Sequence, residues 1–437
     1  MLRVARQPAY IYYMRAFVPT LVKVAALLLA GWLLGSCCHR HEDQATADRT
    51  VLMYMSANND LYYDALRDIR SVLSSCDRSV LGKKGQLLVF FSGPTDRSPG
   101  GQRLLRINPS KDLKKQLADT VLLNAYSFDN PLDPAAMQQV MDDAVRLAPA
   151  SHYGLIMWSH STGWLPKNLE MTTGDARRAF RADELRTKWF GAEPKKSNGN
   201  EFNHMDFSEL AEVMEPYGWE FLIGDACLCS SVELGYELRH AAGYLVGSPT
   251  EVLTEGFPYK RILPLLYSKN SPLEISQSVA ACFIDFFQND YYFNGHLCPY
   301  ATIAVTDLSE MEALAAATQP LMAKMKKDSL SIQGVQVYDG RANTMFFDFD
   351  SFVRENLADP DSDPDYQRFK TQLQKAVPYS GHTNYFYSTA SGSGRTIRVD
   401  DYCGLATYVP RKVSKDELIG KCNEAWPATA WAQAIGY

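Results

Sequence analysis

The sequence predicts an α/β fold: a mostly parallel sheet flanked by helices on both faces, continued at its C-terminal end by a mixed α+β extension. Three observations carry this. Short apolar runs recur at residues 51–55 (VLMYM), 86–91 (QLLVFF), 153–158 (YGLIMW) and 219–224 (WEFLIG); they are continuous rather than alternating, as in strands covered on both faces. Segments with apolar residues at helical spacing lie between several of them, the pattern of strand–helix–strand units. The chain has 437 residues, 46% hydrophobic and 22% charged, enough for a large core in one large domain or two.

The elements follow in order. Residues 24–34 (VAALLLAGWLL) form an apolar run behind Arg3, Arg6, Arg15 and Lys23. A bilayer span needs about 20 apolar residues, so this run has the length and flank of a signal-peptide core. It ends in Leu34-Gly35-Ser36-Cys37, similar to a bacterial lipobox in which Cys37 carries the lipid; an ordinary secretory signal is the alternative. The expected organisation is a signal peptide over 1–36, a lipidated Cys37 with a flexible tether to residue 50, the main α/β domain over 51–310 and a C-terminal subdomain over 311–437 packed on it. Cys38 rather than Asp after the lipidated position points to the outer membrane of a bacterial cell.

The strand at 51–55 is followed by a turn and a helix over 61–73, with Leu66, Ile69, Val72 and Leu73 on one face. Asp133-Pro134 caps a helix running to 147. A helix over 206–216 precedes the strand at 219–224. A helix near 231–240 and a strand at 244–246 come after it. Beyond Leu308 a long Ala/Leu/Met helix runs to about 327, and residues 385–388 and 405–409 read as β-like.

Composition excludes one class of function. Lys and Arg total 44 against 50 Asp and Glu, a net charge of −6, and the four charges before residue 37 are all basic. The exported part is therefore more acidic still, the wrong sign for nucleic acid. The nine cysteines show no regular framework, and most read as small buried apolar residues.

The chemistry lies at two strand ends. In open parallel sheets ligands bind beyond the carboxyl ends of the strands. There, YGLIMW runs into Ser159-His160-Ser161-Thr162-Gly163-Trp164, and WEFLIG into Asp225-Ala226-Cys227-Leu228-Cys229. If these strands are neighbours, His160 and Cys227 share an edge, the minimum for thiol nucleophilic catalysis. An imidazole and a helix amino end just after Cys227 would together hold the thiol below its free pKa of about 8.5. Residues alone leave other readings open: a satisfied loop histidine, a core cysteine, a Cys227/Cys229 metal site or a strained disulfide between the two.

The segments WSHSTGW and GDACLCSSVELGYEL resemble the His and Cys motifs of the clostripain family of cysteine peptidases, which share the caspase–gingipain–legumain architecture. TVLMYMSANNDL, SPTEVLTEGFPY and DDYCGLATYVP match in order along the chain. The resemblance implies a caspase-like sheet, a Cys227 nucleophile, a His160 acid/base partner and protein or peptide substrates. It implies cleavage after Arg or Lys, with Asp225 in the pocket and Glu251 and Glu255 as further wall candidates; a desolvated carboxylate selects a cation there. The oxyanion hole would use the Cys227 N–H and the N–H beside His160. The family usually has Gly at that second position and this chain has Ser161, whose Cβ restricts the backbone. Relatives cut themselves between the two motifs, and residues 165–203 carry Lys167, Arg177, Arg178, Arg181, Arg186, Lys188, Lys195 and Lys196. No cofactor is required by the sequence. Calcium supports some relatives, and Asp348, Asp350, Asp359, Asp361, Asp363 and Asp365 are the acidic groups that could serve it. The competing function is a caspase-fold lipoprotein that binds peptides or a surface partner without hydrolysis.

Overall fold

A computed structural model describes residues 47–82, 84–109, 118–165, 190–195, 198–325, 330–390, 394–412 and 416–437. The expected signal peptide, Cys37, the tether up to residue 46 and residues 166–189 of the expected self-cleavage interval lie outside the described residues.

A nine-stranded sheet forms the centre. Its strands are β1 (Ala47–Ser56), β2 (Gly85–Gly93), β3 (Gly101–Asn108), β4 (Asp119–Tyr126), β5 (Ala150–Trp158), β8 (Trp219–Asp225), β9 (Ala242–Gly247), β10 (Thr302–Asp307) and β11 (Tyr379–His382). Between β5 and β8 a separate hairpin is made of β6 (Phe190–Lys195) and β7 (Asn198–Met205). The spatial order is β11-β10-β9-β8-β5-β1-β2-β3-β4. The central strands β9, β8, β5, β1 and β2 are parallel, and antiparallel pairs flank them on both sides. β1 begins at Ala47, inside the stretch expected to be tether: Ala47 N donates to Pro149 O and Asp48 N to Lys84 O, both at 2.9 Å.

Helices cover both faces, because side chains alternate along a strand. Val51, Met53 and Met55 pack with α1 (Tyr62–Ser75), α5 (Tyr259–Leu266) and α6 (Pro272–Asn289). Leu52 and Tyr54 belong to the opposite core, with α2 (Pro134–Leu147), α3 (Phe207–Met214), α4 (Val232–Glu237) and α7 (Met311–Lys324). The helix starts are locally encoded. Asp133 accepts from Ala135 N ahead of Pro134. Asp206 with Glu209, and Ser271 with Glu274, form reciprocal capping boxes. The helix expected from 308 to 327 is a 3-10 turn, Leu308–Glu310, leading into the shorter α7.

The edge strand β4 and its neighbour β3 were not anticipated from sequence. β4 buries none of its residues fully, so it lacks the continuous apolar run by which the central strands are found. The C-terminal extension packs into the same core as the sheet rather than standing apart. Glu233 of α4, buried, accepts from Tyr408 N (2.9 Å), Thr407 Oγ1 (3.1 Å) and Trp426 Nε1 (2.9 Å). Ser230, three residues after Cys227, donates to Gly404 O and accepts from Ala406 N. The DDYCGLATYVP segment is thus fastened directly to the loop that carries the cysteine.

Candidate active site

Register sets the geometry. Met55 of β1 pairs with Trp158 of β5, and Trp158 pairs with Asp225 of β8. Three adjacent parallel strands therefore end level. His160 and Cys227 each leave the sheet two residues beyond the Trp158–Asp225 pair, and the loop after β1 opens beside them. The structure brings both predicted side chains to one edge.

The histidine loop is tightly tied. Ser159 Oγ donates to Ser56 O at 2.7 Å, and Gly191 N donates to His160 O at 3.0 Å. His160 Nε2 lies 2.7 Å from Asp60 Oδ1, in the turn before α1. Burial alone would raise Asp60, but the hydrogen bond and charge of His160 outweigh it and hold the carboxyl below its ordinary range. Among the described residues no hydrogen bond joins His160 to Cys227. Asp60 was missed from sequence; the signal that could have found it was its place in a polar turn at a strand's carboxyl end.

Ser161 is buried and bridges to Phe190 of β6. Only Leu228 and Asn294 among described non-glycine residues have positive φ, so the Ser161 backbone does not need the freedom of glycine. The bond from Gly191 N to His160 O makes this a wide antiparallel pair, in which Ser161 and Phe190 exchange no hydrogen bond.

The cysteine loop is built differently. Leu228, at φ 58°, turns the chain directly after Cys227, a conformation costing about 1–2 kcal/mol for a residue with a Cβ. Leu228 N donates to Thr250 O and Ser230 N to Ser248 O, which strap the loop to the chain leaving β9. Half-buried Cys227 receives the Val252 N–H at 3.4 Å on its Sγ. The expectation of a lowered thiol pKa is overturned. Burial first, and the Glu251 carboxylate second, push the thiol up to about 12 against the opposing Val252 bond. The expected helix amino end is also displaced: α4 starts only at Val232, with its cap on Ser231. The resting thiol is therefore neutral.

Asp225 is 5% exposed. Its Oδ2 accepts from Tyr259 OH at 2.6 Å and lies 3.5 Å from Phe257 N. Gly256, at φ 61°, packs so closely that a Cβ there would stand 2.8 Å from Asp225 Oδ1. Asp68 of α1, which sequence reasoning also missed, is buried and accepts from Trp158 Nε1 at 2.9 Å. Burial and the Asp225 charge raise Asp68, and burial raises Asp225; two desolvated carboxyls side by side resist ionising together. Arg67 stands over this acidic group. It lies 2.7 Å from Asp64, 3.8 Å from Asp68 and 3.5 Å from Glu255, and donates to Thr254 O. Glu255 thus sits at the acidic cluster. Glu251 instead accepts from Thr389 N at 2.5 Å and from Thr389 Oγ1 at 3.3 Å, bracing the 388–390 loop beside Cys227.

Among the described residues no group of three or more His, Cys, Asp or Glu side chains is placed to hold a metal ion. Cys227 and Cys229 are both free thiols. Four of the six acidic groups named for calcium have protein partners: Tyr338 OH and Cys403 N on Asp348, Tyr366 OH and Lys370 on Asp350, and Lys324 between Asp363 and Asp365.

Comparison with known proteins agrees with this architecture. A search of curated protein sequences returns no relative. Among solved structures, a secreted C11 cysteine protease from Bacteroides thetaiotaomicron, in complex with an irreversible peptide inhibitor, is similar at a TM-score of 0.71 and 24% identity, over 89% of this chain and 99% of that one. An inactive zymogen C11 protease from Parabacteroides distasonis is similar at a TM-score of 0.68 and 25% identity, over 90% of this chain and 99% of that one. Residues 53–370, most of the chain, match the model of the clostripain family, and the protein, a cysteine protease, belongs to that family.

Proposed function

We propose that this protein is an exported, lipid-anchored endopeptidase that cuts peptide bonds after Arg or Lys, with Cys227 as nucleophile and His160 as its acid/base partner. The observation that carries the reading is the register: His160 and Cys227 emerge level, on neighbouring parallel strands, two residues beyond a paired Trp158 and Asp225. The Cys227 sulfur attacks the scissile carbonyl as its proton passes by way of His160 to the leaving amine. Water then hydrolyses the thioester: His160 takes the water proton as the C–O bond forms and returns it to the Cys227 sulfur as the C–S bond breaks. The N–H groups of Cys227 and Ser161 receive the developing oxyanion. Because the resting thiol is neutral, proton transfer accompanies substrate binding rather than preceding it.

The acidic group of Asp225, Asp68 and Glu255 supports basic specificity. An arginine already lies against it, so the site accepts a guanidinium in its own structure. The 165–203 interval, basic and situated between the two motifs, is a fitting site of self-cleavage. The similar Parabacteroides protein is described as an inactive zymogen, which supports a cut-to-activate reading. The test uses the soluble protein from residue 44 and fluorogenic peptides that differ only in the residue before the bond: Arg, Lys, Asp or Leu. Cleavage after Arg or Lys that disappears in Cys227→Ala is expected. Silence on all four, with and without calcium and after deliberate cutting of the 165–203 interval, overturns the reading.

A further inference from the structure

We infer that Asp60 is the positioning residue of His160: it holds Nε2 protonated and leaves Nδ1 as the nitrogen that moves the proton. The inference rests on the reading of His160 as the acid/base partner.

The contact is direct, Nε2 to Oδ1 at 2.7 Å. Both ends of it are anchored to one place. On the carboxylate side, Asn59 Nδ2 donates to Ser56 O at 3.2 Å and to Ala192 O at 3.0 Å, while Asn59 Oδ1 accepts from Leu61 N at 2.9 Å. On the imidazole side, Ser159 Oγ reaches the same Ser56 O, and Gly191, next to Ala192, holds the His160 carbonyl. Ser56 Oγ in turn donates to the buried Glu193 at 2.8 Å. The turn after β1, the histidine loop and β6 therefore form one frame, and the Asp60–His160 contact lies inside it.

Stability does not explain this pair. The side chains are 41% and 34% exposed, and an ion pair so wetted adds little to stability. Five backbone and side-chain bonds are spent on fixing its two loops, which is more than such a return justifies. What the arrangement fixes is orientation. A carboxylate on one ring nitrogen selects the tautomer in which that nitrogen keeps its proton. The other nitrogen, Nδ1, is then the acceptor from the Cys227 thiol and the donor to the leaving amine. The surrounding charges are distinct in place: Glu251 and Asp225 lie on the cysteine side, and Glu193 is enclosed beneath Ser56.

The experiment compares the full chain with Asp60→Asn, Asp60→Ala and Asp60→Glu on an Arg peptide. In Asp60→Ala, kcat falls about 100-fold, within the range of lost acid–base assistance, while KM and the thermal unfolding midpoint hold. Asp60→Asn and Asp60→Glu recover part of kcat. A second readout needs no activity: 15N NMR of His160 in Cys227→Ala protein. With Asp60 present the neutral ring carries its proton on Nε2; with Asp60→Ala both tautomers appear. An unchanged tautomer ratio, or a loss of kcat that follows a falling midpoint, overturns the role of Asp60. A wild-type chain silent on every peptide with the tautomer shift intact would sink the reading of His160 as acid/base partner of an Arg/Lys endopeptidase, and with it the proton-moving role of Nδ1, leaving only the hold of Asp60 on the ring tautomer.

Discussion

The two arms of the site are held in opposite ways. The His160 side chain is one-third exposed, and among the described residues its ring bonds to the similarly wetted Asp60. Cys227 sits beside Glu251 and two residues beyond the buried Asp225, in a loop turned by a left-handed leucine. Water screens the first arm, so its contacts orient more than they stabilise. The second arm is desolvated, so nearby charge acts strongly and the thiol is pushed up to about 12. One arm is set by geometry and the other by its electrostatic surroundings. The reaction joins them only when substrate arrives.

The largest expected effect lies on the buried arm. Asp225→Asn keeps an oxygen for Tyr259 and Phe257 while removing the charge. Selectivity for Arg over Leu before the bond then falls about 100-fold, the loss expected when one partner of a desolvated charge pair is removed. Competition between the two peptides measures it, and undiminished selectivity would show that the pocket lies elsewhere.

Glu251→Gln comes next, since the amide still accepts from Thr389. Removing a negative neighbour favours the thiolate, so the thiol pKa drops. Each unit of that drop corresponds to about 1.4 kcal/mol and a tenfold rise in thiolate at neutral pH. Iodoacetamide alkylation of Cys227 should accelerate about tenfold at pH 8. In the unaltered protein, with the thiol at about 12, the alkylation rate should climb steadily with pH through the neutral range. A plateau below pH 8 would contradict a neutral resting thiol.

The smallest effect belongs to the histidine arm. Ser161→Gly restores the residue typical of the family, yet Ser161 has no positive φ to relieve. The rate should stay within about twofold, with stability lowered by about 0.5–1 kcal/mol through added freedom of the unfolded chain. A large gain in kcat would reveal a constraint on the oxyanion hole that the backbone does not display.

Much of the frame was legible in the sequence. The runs VLMYM, QLLVFF, YGLIMW and WEFLIG became β1, β2, β5 and β8, because strands buried on both faces are apolar throughout. Asp133-Pro134 and the Asp206 cap mark helix starts through contacts within three residues. By contrast, β3, β4 and the ordered start of β1 at Ala47 depend on neighbours far along the chain. A half-covered edge strand leaves a weak pattern, and the polar start of β1 is ordered by bonds to Pro149 and Lys84.

The sequence by itself determined which residues stand at the strand ends: His160 and Cys227 follow their apolar runs directly, and position along a parallel strand fixes the edge at which a side chain emerges. Only the tertiary structure decided the protonation of the thiol and the partners of both side chains. Asp60 is 100 residues from His160 and Asp68 is 90 residues from Trp158. Glu251 comes to Cys227 through the chain that leaves β9. Electrostatic energies depend on distance and on exclusion of water, and neither quantity exists until the strands are laid side by side.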